Sequence, residues 1–156
     1  ARRRRATARG NASVWNERDK VSAEASAANH PGPFPDLARA VAELAPQGLA
    51  RPEIGGVMKM IIGEARNFPS LARIWHDRVI TPALEALAGA IAAAQARGEI
   101  RAGDPRLYAV GFIGPLLAGL IWRETFVPVG APPFDLSSLA RQHVETALRG
   151  MMEREP

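Results

Sequence analysis

The hydrophobic and polar positions from residue 36 to residue 151 repeat with the spacing of an α-helix. Apolar residues recur three and four positions apart, and no segment alternates with period two as a half-buried strand would. Prolines, glycines and aspartates separate the periodic segments, at the kinds of place where helices begin and end. The pattern predicts an all-α protein, a helical bundle of about five to six helices.

Capping and helix-breaking residues predict the ends of these helices. Asp36 is a suitable N-cap for the first helix, and Gly48 ends it. The apolar stripe of this helix consists of Leu37, Val41 and Leu44. Pro82 should kink the third and longest helix, because its ring removes one backbone hydrogen bond. The predicted helices cover residues 37–45, 52–66, 70–97, 105–125 and 135–151.

The fourth predicted helix, residues 105–125, has no polar face over four turns. It must be covered on two sides, either as the central core helix of a monomeric bundle or by a second subunit. Gly111, Gly114 and Ala118 would let another helix approach closely. This helix and the last predicted helix, residues 135–151, could form a four-helix interface with the same two helices of a second subunit. The residues assigned to the dimer interface are Leu107, Gly114, Leu117, Ala118, Ile121, Leu139, His143 and Ala147.

Large, deformable apolar side chains are concentrated on three of the predicted helices. Methionine and aromatic residues line adaptable cavities, although they are more often typical of an ordinary core. His76 could orient a ligand or lie on a solvated helix face. The residues assigned to a candidate ligand cavity are Met58, Ile62, Trp75, His76, Phe112, Leu116 and Trp122.

The positive charge of the chain is concentrated at its start. The 156 residues include 20 Lys and Arg against 16 Asp and Glu, a formal net charge of +4. The first 24 residues hold seven bases and three acids, so the rest of the chain is electrically balanced. The run Arg2 to Arg5 could contact phosphates or be a solvated tail. We expect residues 1–33 to be a basic, poorly ordered tail or a remnant, residues 34–152 to form the domain, and residues 153–156 to be a C-terminal tail.

Catalytic and metal-binding chemistry finds little support in the sequence. Without cysteine, the chain has no disulfide, no thiolate ligand and no thiol nucleophile. His76 and Asp77 are neighbours on a predicted helix and should point about 100° apart, so we expect no pair of base and orienter. The sequence lacks the motifs of serine hydrolases, phosphate-binding loops, dinucleotide binding and zinc peptidases. We expect no enzyme activity, no metal and no cofactor.

No segment of the sequence predicts a membrane span or a secretory signal. The longest uncharged apolar run, residues 107–122, has 16 residues, fewer than the roughly 18 to 20 needed to cross a bilayer. The basic start is not followed by the apolar stretch of a signal peptide. We expect a cytoplasmic protein with no membrane partner.

Three segments, in order along the chain, resemble the C-terminal effector-binding and dimerisation domain of TetR-family regulators. The first is GEARNFPSLARIWHD at residues 63–77. The second is ARGEIR at residues 96–101, followed by Asp104 and Pro105. The third combines GPLLAG at 114–119 with WRETF at 122–126. The likeness covers about residues 34–152.

This resemblance implies an all-helical subunit that forms a homodimer through its last two long helices. It also implies a small, usually lipophilic effector that enters a cavity among residues 51–126 and changes the separation of two DNA-reading heads. In the family a three-helix DNA-binding head precedes this domain. Residues 1–34 contain no helix-turn-helix pattern, so DNA is expected as a partner only through a head not seen in this chain.

We interpret the chain as the ligand-sensing, dimerising part of a TetR-like transcriptional regulator that binds a small lipophilic effector. The alternative is a stand-alone helical interaction module without DNA binding, which pairs with itself or with a full-length relative. A third possibility, non-specific nucleic-acid binding, would depend on the arginines at residues 2–5 alone.

Overall fold

A computed structural model describes residues 32–152, and this part of the chain is helical. The helices are α1 (Phe34–Leu49), α2 (Pro52–Glu64), α3 (Pro69–Trp75), α4 (Thr81–Ala96), α5 (Pro105–Thr125) and α6 (Leu136–Met151). A π-helical turn, His76–Ile80, joins α3 to α4, and a 3-10 turn, Val127–Val129, follows α5. Within the described range the only β-type pairing is an isolated bridge between Ile100 and Met152. The predicted all-α bundle of about five to six helices is confirmed.

The hydrophobic core lies between α1, α4, α5 and α6. The α5 helix packs against α4 on one side and α6 on the other, and α1 closes the core by packing against α6. Phe34 and Ile91 are fully buried there, and the Phe34 ring meets the Phe112 ring edge-on at a centroid distance of 5.8 Å. The α2 helix lies outside this cluster and packs mainly on α5.

The first helix begins two residues before the predicted N-cap. Pro33 is the N-cap, and Asp36 lies in the first turn with its N–H donated to the Pro33 carbonyl at 3.1 Å. A proline in the first turn needs no N–H partner, so the Phe-Pro start is compatible with a helix. The predicted stripe is also wrong beyond Leu37, because Val41 and Leu44 are 39% and 66% exposed. The buried residues of α1 are Phe34, Leu37, Ala38, Ala42 and Pro46.

The long helix predicted for residues 70–97 is present but interrupted. Instead of a simple kink at Pro82, the π-helical turn His76–Ile80 lies just before it. The Thr81 N–H donates to the His76 carbonyl, five residues back. Pro82 has no N–H to donate in an α-helical turn, and the π-helical turn before it accommodates the proline.

The α5 helix has one buried face and one exposed face. Ala109, Phe112, Leu116, Gly119 and Leu120 point into the chain. The opposite side, which we call the outer face of α5, carries Leu107, Val110, Gly111, Gly114, Ala118 and Ile121. We expected both sides of this helix to be covered, but a single chain covers only the inner side.

Two helical stretches satisfy the length and hydropathy expected of a membrane span, contrary to the sequence-based expectation. They are Pro69–Ala96 and Pro105–Val129, with mean hydropathies of 1.4 and 1.3 over their best windows. Core helices of soluble proteins pass the same test, so this is weak evidence for a membrane. In this chain only 17% and 22% of those windows are buried. The predictions for residues 1–31 and 153–156, including the basic tail, fall outside the described residues.

Candidate functional site

A cleft of about 240 Å³ lies between α2 and the C-terminal half of α5. Its walls are mainly apolar, with Met58 and Ile62 from α2 facing Leu120 and Ile121 from α5. The cleft is open to solvent, since Ile62 is 61% exposed and Ile121 is 41% exposed. The full lining is Gly55, Met58, Lys59, Ile62, Gly63, Leu120, Ile121, Glu124 and Thr125.

Gly55, in the first half of α2, allows α2 and α5 to approach closely at one end of the cleft. A Cβ atom at Gly55 would collide with the carboxylate of Glu124. The neighbouring Gly56 has open space around it, so the close approach is specific to Gly55. The position of Glu124 therefore depends on the absence of a side chain at Gly55.

Charged groups hold this end of the cleft together. The Lys59 ammonium donates to the main-chain carbonyl of Glu124 at 3.1 Å, which ties α2 to α5. The Glu124 carboxylate accepts from the Arg123 Nε at 2.8 Å. The Arg123 Nη2 is buried and has no hydrogen-bond partner within residues 32–152. An ammonium has three N–H donors, so Lys59 retains donors that a ligand could use.

Of the residues predicted to line a cavity, Met58 and Ile62 lie in this cleft. Phe112 and Leu116 lie instead on the inner face of α5, in the hydrophobic core. Trp122 donates from its Nε1 to the Pro132 carbonyl at 2.9 Å and packs against the rings of Phe126 and Phe134. Trp75 and His76 lie at the junction of α3 with the π-helical turn and do not contribute to the cleft lining.

His76 and Asp77 do form a pair, contrary to the geometric expectation. The His76 Nδ1 lies 2.7 Å from the Asp77 Oδ1. The Thr81 Oγ1 lies 3.4 Å from Nδ1 and 3.3 Å from Nε2 of the same ring. A hydroxyl that is almost equally far from both ring nitrogens is not aligned on the lone pair of Nε2. Activation of a nucleophile requires that alignment. His76 and Asp77 are exposed and Thr81 is half-buried, so the arrangement resembles a local surface network more than a catalytic triad.

The residues assigned to a dimer interface lie along α5 and α6. Leu107, at the start of α5, is 71% exposed, and Ala118 is exposed in the middle of the helix. Gly114, Leu117, Leu139 and Ala147 are half-buried. His143 is half-buried beside α5, with its Nε2 3.0 Å from the Gly111 carbonyl.

Several residues of the cleft were missed by the analysis of the sequence. Lys59, Glu124 and Thr125 are not among the predicted cavity residues, because periodicity does not show which helix will face another. The one available signal was the unusual Gly55-Gly56 pair inside a helix, which marks a close approach of another element. Within the described residues, no group of three or more His, Cys, Asp or Glu side chains could hold a metal ion.

Comparisons with known proteins fit this architecture. The family model for the C-terminal domain of AefR-like transcriptional repressors matches residues 36–154. A crystal structure described as a TetR-family transcriptional regulator from Mesorhizobium loti MAFF303099 superposes with a TM-score of 0.69. It is 22% identical, and the match covers 87% of this chain and 67% of that one, which shows a shared fold. A search of curated proteins gives no significant match. Because the family model spans most of the sequence, the chain belongs to the TetR family of transcriptional regulators, through a C-terminal domain of the AefR-like type.

Proposed function

We propose that this chain is the effector-sensing and dimerising part of a transcriptional regulator, and that a small lipophilic molecule binds in the α2–α5 cleft. Regulators of this family are in general dimeric, non-enzymatic proteins of the cytoplasm that bind DNA and small-molecule effectors. The observation that carries the effector proposal is the cleft itself, an apolar depression with charged groups at one end.

The chemistry of the cleft favours an amphipathic ligand. Met58, Leu120 and Ile121 offer an apolar surface to a hydrocarbon or aromatic body. Lys59 can donate to a polar or anionic end of the same molecule, because its charge is fixed beside the cleft by the bond to the Glu124 carbonyl. The flexible methionine allows ligands of somewhat different shape to fit.

The position of the cleft supports a route from ligand to output. It lies between α2, outside the main core, and α5, whose outer face is exposed. A ligand that wedges these helices apart would favour one arrangement of α5 over another. In a dimer built on α5 and α6, such a shift would change the spacing of two DNA-reading heads, and this coupling is what makes the binding allosteric.

The effector proposal can be tested with a matched pair of methionines on α2. Met58 lines the cleft, whereas Met60 is 46% exposed and lies outside it. With 8-anilinonaphthalene-1-sulfonate as the probe, we expect Met58→Ala to weaken binding about 3- to 10-fold by removing apolar contact, and Met60→Ala to leave it nearly unchanged. Fluorescence titration measures the affinity.

A thermal-shift measurement provides a second readout for the same pair. Saturating the cleft at 100 times the dissociation constant should stabilise the fold by about 2.7 kcal/mol. Equal loss of probe binding in both methionine variants would contradict the location of the site. If no apolar, aromatic or acyl probe raises the melting temperature of the protein, the effector proposal is contradicted altogether.

A stand-alone interaction module remains the second candidate, and the exposed outer face of α5 is the observation that favours it. Such a module would pair with a full-length relative as readily as with itself. Co-expression of this chain with an intact family member, followed by native mass spectrometry, separates the two functions. Mixed dimers would support the module, whereas exclusive self-pairing would count against it.

A further inference from the structure

The outer face of α5 is apolar along its whole length, and its two largest side chains lie at its ends. Its six residues carry no charge, and the helix presents them over about four turns. Leu107 and Ile121 each lie seven residues from Gly114, and Val110 and Ala118 each lie four residues from it. The two largest side chains, Leu107 and Ile121, are therefore at the ends of the face, and two glycines, one alanine and Val110 lie between them.

The centre of this face has room for another backbone. A Cβ atom at Gly111 or Gly114 would have nothing within 4 Å in the chain's own fold, so packing inside the subunit does not require glycine at either position. A second helix that crosses at Gly114 could approach closely, because neither helix presents a side chain at the crossing point. A two-fold axis through this point, roughly perpendicular to the helix, would place Leu107 of each subunit over Ile121 of the other.

Ile121 is also part of the wall of the α2–α5 cleft, and its side chain is 41% exposed. We propose that the cleft is a shared site, closed in the dimer by Leu107 of the partner subunit. This inference rests on the effector function proposed above, and it adds that one subunit alone holds an incomplete site. The ligand would then touch both subunits, so that its binding energy depends directly on how they pack.

A second copy fits the outer face better than a lipid surface or an unrelated protein. Self-pairing about a two-fold axis at Gly114 explains why a large aliphatic residue lies seven positions from it in each direction, whereas contact with lipid would not need glycine at the centre. Along the helix, residues 107 and 121 of one subunit are about 21 Å apart at 1.5 Å per residue. No direct contact within one subunit can therefore carry an effect of Leu107 on the cleft.

Because the chain contains no cysteine, cross-linking can test the geometry of the pair. We expect a short bismaleimide to join Leu107→Cys and Ile121→Cys subunits when the two variants are mixed, and to give little product with either variant alone. Strong self-linking of Leu107→Cys without mixed product would indicate parallel helices and overturn the inference. A monomer at all concentrations, or cross-links only to lipid or to another protein, would overturn it as well.

Probe binding tests the contribution of the partner to the cleft. We expect Leu107→Ala to weaken binding of 8-anilinonaphthalene-1-sulfonate about 3- to 10-fold, and Arg106→Ala, an exposed neighbour outside the outer face, to have little effect. Light scattering at the same concentrations shows whether the variants are dimers. If wild-type protein binds the probe and dimeric Leu107→Ala binds it equally well, the cleft is complete in one subunit and only this inference fails. If wild-type protein binds no probe, the proposed function fails with it.

Discussion

Glu99 lies where α1 enters the domain and holds the first turn of that helix. Its carboxylate accepts from the Phe34 N–H at 2.7 Å and from the Arg97 Nε. Gly98 makes this possible, because its φ of 75° reverses the chain after α4. The N–H groups of Gly98 and Glu99 donate to carbonyls of the last turn of α4, in a pattern typical of helix C-termini. The ARGEIR segment therefore positions the residue that fixes the start of α1.

The pKa of Glu99 is below its ordinary value, chiefly because the carboxylate accepts a hydrogen bond from Arg97. Partial burial raises the pKa, and the hydrogen bond from the Phe34 N–H lowers it further. A lowered pKa means that the carboxylate stabilises the fold above the ordinary pKa of glutamate. This contribution is lost as the pH falls through the pKa of the folded state.

We expect Glu99→Gln to lower the free energy of unfolding by about 1 kcal/mol at neutral pH, since the amide keeps one acceptor but loses the charge. Urea denaturation at a series of pH values measures the difference, which should shrink as the pH falls below the ordinary range of glutamate. Glu145→Gln is a suitable control, because the Arg39–Glu145 pair on α1 and α6 is exposed and its loss should matter less. A difference that is independent of pH would contradict this role.

At the scale of single elements, α2 shows how one glycine can be required while its neighbour is not. Both Gly55 and Gly56 lower the intrinsic stability of the helix, because glycine has a large conformational entropy when unfolded. Only Gly55 faces Glu124. Gly55 is therefore a position at which the close approach can be tested, and Gly56, one residue later, is its control.

We expect Gly56→Ala to raise the free energy of unfolding by about 0.5 to 1 kcal/mol through helix propensity. Gly55→Ala should fail to give this gain, because its Cβ must displace the Glu124 carboxylate from Arg123. Combining Gly55→Ala with Glu124→Ala should restore part of the gain. Chemical denaturation of the four proteins gives the comparison, and equal stabilisation by both alanines would show that Glu124 moves aside at no cost.

At the scale of the whole molecule, the dominant feature is apolar surface that a single chain leaves uncovered. The candidate spans Pro69–Ala96 and Pro105–Val129 are both long, apolar and little buried. Exposed apolar surface of this kind is typical of protein or membrane interaction sites. For a member of this family, we expect a second copy to cover α5.

The expected dimer leads to a prediction for the middle of the outer face. Ala118 is exposed in the single chain, so Ala118→Glu should not disturb the fold of the subunit. In the dimer the new carboxylate would be buried without a partner, and we expect the dissociation constant of the dimer to rise at least 10-fold. Sedimentation velocity across a concentration series measures it. Gln142→Glu, on the exposed side of α6, adds the same charge and should leave the dimer intact.

Periodicity and capping predicted the number and order of the helices, because these depend on residues close together in the sequence. The same reasoning placed Val41 and Leu44 in the core, where they are not, since α1 has apolar residues on more than one side. It also assigned Phe112, Leu116 and Trp122 to a cavity. These side chains resemble ligand-binding residues in type, but they fill the core and an aromatic cluster instead.

The amino-acid sequence alone determined the helical class, the helix that is apolar on all sides and the family resemblance, because each is encoded in local patterns of residue type. Only the tertiary structure decided which face of α5 is covered, that α2 packs on its C-terminal half, and that Lys59 and Glu124 meet beside an apolar cleft. Helix-to-helix contacts join residues more than sixty positions apart, and their choice depends on the packing of all the helices at once, which no local pattern contains.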